Sequence, residues 1–331
     1  MLKIGMLGVS HSHADSYAAA VSAHSGAELV GVWDADAARS AAKAAEYGTK
    51  SCGDRLCAEL IDAADAVIIC SENVAHATLA TQALAARRAV LCEKPLATTP
   101  GDARAMVVAA ESAGVALFTA FPCRFSPAFQ TLKSAAYRGD LGDILAVRGT
   151  NRGKCPGGWF VDIAASGGGA VMDHTVHVTD LLRVLLKSEV TSVFCEADNR
   201  MLPGDFDDTG IVTLTFESGA FATLDCSWSR PAKTFPTWGD VTLGVQGTKA
   251  TVEMDMFAQS VTIYSETKAN IAQAGYGSSI DGGLIAAFVH AVTTGDAGEL
   301  ATGTDGLRAV EVVAAAYESA RTHKAVAVLS F

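Results

Sequence analysis

The sequence predicts an α/β chain of two domains: a doubly wound parallel sheet first, then an α+β domain built on a large, mainly antiparallel sheet. Three observations predict it. Short, continuous apolar runs alternate with Ala-rich stretches of helix length over the first ~120 residues, the pattern of β-α-β units. Those runs do not alternate polar with apolar, which suits strands buried on both faces. After Phe121 the texture changes to consecutive strand patterns joined by tight turns.

The elements follow in order. KIGMLGV at 3–9 is the first strand, and His13 to His24 the first helix. AELVGVW at 27–33 is the next strand, closed by Asp34. A helix runs from Asp36 to Tyr47 with Gly48 as its stop. DAVIIC at 65–70 is a strand, after which Asn73 is placed to cap a helix reaching Arg88. AVLC at 89–92 leads straight into Glu93-Lys94-Pro95. A helix from Thr99 to Ser112 ends at Gly114, and VALFTA is the last strand of the first domain. The domain boundary is set near 121, giving domains 1–121 and 122–331. In the second, a helix spans Pro127 to Tyr137 and a strand Ile144 to Gly149. A Gly-rich segment then leads into a helix from Ala170 to Leu186. Strand patterns follow near 190–197, 210–217, 220–228, 241–246 and 249–254, with Ser218-Gly219 as a hairpin turn. Helices near 283–293 and 304–321 and a strand at 325–329 complete the chain.

Bulk properties exclude several classes. The 331 residues are half apolar and only 18% charged, so both domains can bury a core. The net charge of −11, with no Lys/Arg run, argues against nucleic acid as a partner. No apolar stretch is long enough for a membrane span, and the N-terminal run reads as a buried strand rather than a signal peptide. The eight cysteines are scattered without a CxxC pair, so they read as reduced, and a cytoplasmic location is expected. No metal is expected.

Chemistry concentrates in four places. The first strand ends at Gly8, followed by Val9-Ser10-His11-Ser12-His13 and a helix. Such a strand–turn–helix aims helix-start amides at a phosphate. Ser10 and His13 stand where a G-x-G-x-x-G fingerprint has its second and third glycines, and the Ser10 hydroxyl can itself donate to a phosphate. Asp34, 26 positions beyond Gly8, is placed to accept the ribose hydroxyls of an adenosine and to repel a 2′-phosphate, which favours NAD. Its other role would be to cap the following helix. Arg39 keeps NADP as the alternative, because a nearby arginine accommodates that phosphate. Lys94 sits past the carboxyl end of a strand, where ligands of open α/β sheets bind, and its ammonium can steady an alkoxide. In SGGGAVMDHTVHVTD at 166–180, Gly167, Gly168 and Gly169 allow close approach of a ligand or another chain. Asp173 and His177, four apart, share a helix face, a carboxylate orienting an imidazole for proton transfer.

His11-Ser12-His13 has a rival reading, a metal-dependent hydrolase in which Asp173, His174 and His177 complete the site. A non-catalytic nucleotide-binding protein is a third reading.

Taken together, the glycine turn, Asp34, DAVIICSENVAHATLATQAL, VLCEKPLATT, CRFSPAF, LGDILAV, GGGAVMDHTVH and GVQGTKATVEMD resemble the Gfo/Idh/MocA family of sugar and cyclitol oxidoreductases. The resemblance implies a Rossmann domain and a C-terminal sheet that builds a homodimer or homotetramer. It implies reversible oxidation of a secondary alcohol on a sugar, cyclitol or related polyol. By motif, Lys94, Asp173 and His177 are the implied catalytic residues, with His177 the acid–base. Gly8, Ser10, His11, Ser12, Asp34, Ser71, Asn73, His76, Glu93 and Lys94 are implied around the cofactor. Arg124, Trp159 and His174 are implied around the substrate. Ser71-Glu72 departs from the Thr-Pro common in the family, and His174-Thr175 from its apolar residue and glycine.

Overall fold

A computed structural model describes residues 1–53, 57–265 and 270–328. The chain divides into two compact units. The first holds residues 1–125, 164–167 and 279–310, and the second 126–163, 168–278 and 311–331. Chain order therefore does not map simply onto the units, because the Ile280–Thr294 helix returns to the first.

The first unit carries five parallel strands: β1 (Leu2–Val9), β2 (Ala27–Trp33), β3 (Ala66–Cys70), β4 (Ala89–Glu93) and β5 (Leu117–Ala120). Their spatial order is β5-β4-β3-β1-β2, and a short strand, Ala301–Thr302, pairs antiparallel with β5. Side chains of each strand alternate between two buried faces. Ile4, Met6, Ile68 and Leu91 enter one core, with Tyr17, Val21, Leu284 and Phe288. Leu7, Val67, Ile69 and Val90 enter the other, with Leu60, Leu79 and Met106. This double burial explains the unbroken apolar runs. The strand order reverses between β1 and β3, so their carboxyl ends flank the crevice in which such sheets bind ligands.

The helices follow their caps. Helix α1 is His13–Ala23, and α2 is Ala37–Tyr47, stopped by Gly48 in the left-handed region. Asp36 caps α2 by accepting from the amides of Ala38 and Arg39. Thus Asp36, not Asp34, is the cap. Helix α3, Cys57–Ala63, has no counterpart in the sequence reading. Helix α4 is His76–Ala85, preceded by a 3₁₀ turn at Asn73–Ala75. Asn73 does not cap it, since its side-chain amide donates instead to the Ser166 carbonyl at 2.8 Å. Helix α5 is Pro100–Ala113, capped by Thr99 and closed by Gly114.

The second unit is a seven-stranded sheet in the order β11-β10-β6-β9-β8-β7, extended by Val326–Ala327. Here β6 is Ile144–Gly153, β7 Val190–Asp198, β8 Thr209–Phe216, β9 Phe221–Asp225, β10 Gly239–Gly247 and β11 Thr251–Asp255. Among the described residues of this sheet, the β6–β9 pair alone is parallel. The turn at Ser218-Gly219 joins β8 to β9 as expected, with Gly219 at φ +85°. A separate hairpin pairs Ser260–Ser265 with Asn270–Gly275, beyond the strands that the sequence predicts. The end of the expected strand at 325–329 lies outside the described residues. No helix among the described residues is long and apolar enough to cross a membrane.

Gly8 has φ +77°, and a Cβ there would stand 2.4 Å from the Ser71 Cβ. Gly8→Ala is expected to destabilise the chain by about 1–3 kcal/mol, read as a lowered melting temperature. An unchanged midpoint would contradict this account of the turn.

Candidate active site

The first unit's site is organised by a buried carboxylate. Asp34 is 1% exposed at the end of β2. Its Oδ2 accepts the Val9 amide at 2.8 Å, and its Oδ1 accepts the Asp36 amide at 2.8 Å. Arg39 donates to the same Oδ1 at 2.8 Å and to Glu72 Oε1 at 3.0 Å. A carboxylate offers about four acceptor sites, so Asp34 keeps room for one further donor rather than a pair. Beside it lies a cavity of about 540 Å³ lined by Gly8, Trp33, Asp34, Ser71, Glu72, Thr78, Leu79 and Gln82, among others. An apolar wall of Trp33 and Leu79 with carboxylates at one end suits an adenosine. Asn73 Oδ1 is buried without a hydrogen-bond partner among the described residues, an acceptor ready for a ligand's donor. These features fit a dinucleotide.

The turn after β1 is more self-bonded than its motif suggests. The His11 amide donates to the Cys70 carbonyl at 3.0 Å, and the Ala14 amide to the His11 carbonyl at 3.1 Å. The His13 amide donates to His11 Nδ1 at 3.1 Å. Ser10 is half-buried, and Ser12 is exposed at the start of α1, without a side-chain capping bond.

His13 explains its own presence. Its Nδ1 lies 3.3 Å from Oε1 of the fully buried Glu93 and 3.4 Å from the Tyr17 hydroxyl. Burial works against a charged Glu93, yet the neighbouring His13 and His11 hold its carboxyl well below the usual range. Burial likewise opposes a charged His13, but Glu93 overcomes it and raises the imidazole above its ordinary value. Ligand-type atoms of His11, His13 and Glu93 lie within 4.8 Å of one another. His11 Nδ1 accepts the His13 amide, so that nitrogen is already engaged within the turn.

Lys94 is 4% exposed and is joined to Pro95 by a cis peptide bond. His76, expected at the cofactor, is instead fully buried between two carbonyls. Its Nδ1 is 2.9 Å from Pro95 O and its Nε2 3.2 Å from Ser71 O. Burial lowers its pKa, and a neutral ring donates from one nitrogen only, to Pro95 O or to Ser71 O. Arg124, expected near substrate, is buried within the first unit, facing Asp305 at 3.4 Å and the Glu299 carbonyl.

In the second unit two glycines of the triplet stand against the protein's own groups. A Cβ on Gly169 would lie 2.0 Å from the Asp207 carbonyl, and one on Gly168 2.1 Å from the Tyr317 hydroxyl. Asp207 accepts from the amides of Gly169 and Val171, and Tyr317 from Gly169 and Met172. Both residues cap the Ala170–Leu186 helix, and neither was singled out in the sequence because they lie so far from it in the chain. On that helix Asp173 accepts from Trp228 Nε1 at 3.2 Å and lies 3.3 Å from His174 Nε2. His174 Nδ1 is 3.0 Å from the Cys226 carbonyl. Facing acceptors on both sides, the ring donates to both only as the imidazolium. Both its nitrogens thus face acceptors of the protein. His177 is 8% exposed, one turn beyond Asp173. Trp159 stacks on Phe160 with centroids 3.9 Å apart.

Comparison with known proteins agrees with this anatomy. Residues 2–121 match the model of the oxidoreductase family with an NAD-binding Rossmann fold, and 129–253 match the GFO/IDH/MocA C-terminal domain. Inositol 2-dehydrogenase of Rhizobium meliloti is 33% identical over 260 residues, 76% of this chain and 74% of that protein. Myo-inositol 2-dehydrogenase of Thermotoga maritima is 34% identical over 167 residues. There the match spans about half of each protein, 49% of this chain and 49% of the relative. The crystal structure of GenD2 from gentamicin A biosynthesis, in complex with NAD, superposes with a TM-score of 0.89 at 26% identity, over 99% of this chain and 97% of that one.

The His13–Glu93 pair sets a pH test. An imidazole raised in the folded state stabilises fully below its unfolded value of about 6.5 and loses that contribution as pH rises through the folded value. The melting-temperature gap between the unmutated protein and His13→Asn should shrink above that pH. A gap that widens with pH would overturn the pairing.

Proposed function

The chain belongs to the Gfo/Idh/MocA oxidoreductase family, and from that premise we propose that it is an NAD-dependent dehydrogenase of a sugar, cyclitol or related polyol. The observation that carries the cofactor half of the reading is the cavity beside Gly8, with Asp34, Ser71 and Glu72 on its lining. Asp34 offers its remaining acceptor site to a ribose hydroxyl, and Asn73 Oδ1 a buried acceptor for a second donor. When bound, the nicotinamide supplies the two-electron acceptor for the alcohol carbon. The name of the Rhizobium relative, an inositol 2-dehydrogenase, supports a cyclitol or sugar as the alcohol.

In this reading Lys94 holds the reacting oxygen by its ammonium and steadies the alkoxide as it develops. His177 takes the hydroxyl proton. Asp173, held by the Trp228 indole and by His174, keeps negative charge at that helix face and stabilises the protonated ring. The eight cysteines, none of them in a disulfide, suit a reducing compartment, which supports a cytoplasmic location. A homodimer or homotetramer through the second unit's sheet is part of the proposal. Phe194, Ile211 and Phe221 stand on one face of it, 37%, 46% and 53% exposed, apolar area that a second copy would cover.

Two experiments test this. Inositols and aldoses are offered with NAD, and turnover is read from NADH absorbance. One or more should be oxidised, and Lys94→Ala or His177→Ala should cut turnover by on the order of 10²–10⁴-fold while NADH still binds. Near-normal turnover in both variants would refute the roles. Light scattering should return a dimer or tetramer, and a monomer at micromolar concentration would refute the assembly.

A further inference from the structure

The carboxylate of Glu72 is a feature that the family motif does not account for. It follows β3 directly, at the switch point of the sheet, and lines the same cavity as Asp34. Arg39 rises from the first turn of α2 between the two acids. Its Nη2 lies 2.8 Å from Asp34 Oδ1 and 3.0 Å from Glu72 Oε1. That nitrogen carries two hydrogens, and both are directed to carboxylates.

We propose that Glu72 is a cofactor-specificity residue: it latches Arg39 against Asp34, so that this end of the cavity accepts a ribose 2′-hydroxyl and refuses a 2′-phosphate. The inference rests on the dinucleotide reading above and deepens it. A guanidinium free to turn toward the cavity would grip a phosphate in two-point fashion, the usual means of holding NADP. Here it is shared by two anions, and the three groups together carry one net negative charge. A 2′-phosphate would meet that charge and would also have to strip Arg39 from two partners. A hydroxyl needs neither.

The side chains differ in what else they do. Asp34 also accepts the Val9 and Asp36 amides, so removing it would loosen the turn and confuse specificity with folding. Among the described residues the Glu72 carboxylate is bonded to Arg39 alone, and both side chains are partly exposed. Losing that pair should cost little stability. Glu72→Gln is therefore the informative change: it removes one charge, keeps the shape and weakens the hold on the guanidinium.

The test measures dissociation constants for NADH and NADPH by cofactor fluorescence, in the unmutated protein, in Glu72→Gln, and in Glu72→Gln with Arg39→Ala. The unmutated protein should prefer NADH. Glu72→Gln should narrow that preference roughly tenfold, chiefly by tighter NADPH binding, as removing one charge a few ångströms from a phosphate dianion implies. Adding Arg39→Ala should restore the preference. A ratio that moves by less than about twofold in Glu72→Gln overturns the latch, as does a narrowing that persists without Arg39. Failure of the unmutated protein to bind either nucleotide is a different result, because it removes the dinucleotide reading itself.

Discussion

The buried carboxylate of Asp34 is the constraint on which the first unit's site depends. Three donors from three places converge on it: the amide that follows Gly8, the amide of the residue capping α2, and the Arg39 guanidinium. A carboxylate removed from water must have its oxygens met by hydrogen bonds, or its burial would cost several kcal/mol. Meeting that demand fixes the end of β1, the start of α2 and the rim of the cavity relative to one another. The site is thus pre-organised by a charge whose own solvation the protein has replaced.

The same logic runs through the neighbouring groups. Glu93, fully buried, is tolerated because two imidazoles from the β1–α1 turn stand beside it, and His13 takes the place of a glycine for that reason. His76, equally buried, lies between the carbonyls of Ser71 and Pro95, after β3 and β4, and burial lowers its pKa. In the second unit, Asp207 and Tyr317 meet the first amides of the Ala170–Leu186 helix, and Gly168 and Gly169 exist so that those groups can come close. Several residues that a motif assigns to ligands are, in this chain, supports for residues that face them.

Such substitution of support for contact limits what a motif can say. Ser71, Asp34 and Gly8 do line one cavity, as their spacing in the chain suggested. Glu72 lines it as well, yet an acid next to Ser71 has no sequence signature that separates it from a solvated loop residue. Its partnership with Arg39 spans 33 positions, a distance that only the parallel order of β1, β2 and β3 closes. His174 lies between Asp173 and His177 in the chain, and its Nδ1 faces the Cys226 carbonyl, 52 positions away, a contact with no local signal.

The amino-acid sequence by itself determined the five parallel strands of the first unit and most of the helices between them to within a few residues, though not α3. Their signals are local: apolar runs buried on both faces, and Gly48 and Gly114 as stops. It also determined the family, because the motifs retain their order along the chain. The tertiary structure alone decided that the helix Ile280–Thr294 packs with the first unit, that Asp207 and Tyr317 cap a distant helix, and that two acids share Arg39. Those outcomes turn on which buried polar groups find one another across long loops. That competition is settled by the geometry of the assembled sheet, not by the propensities of neighbouring residues.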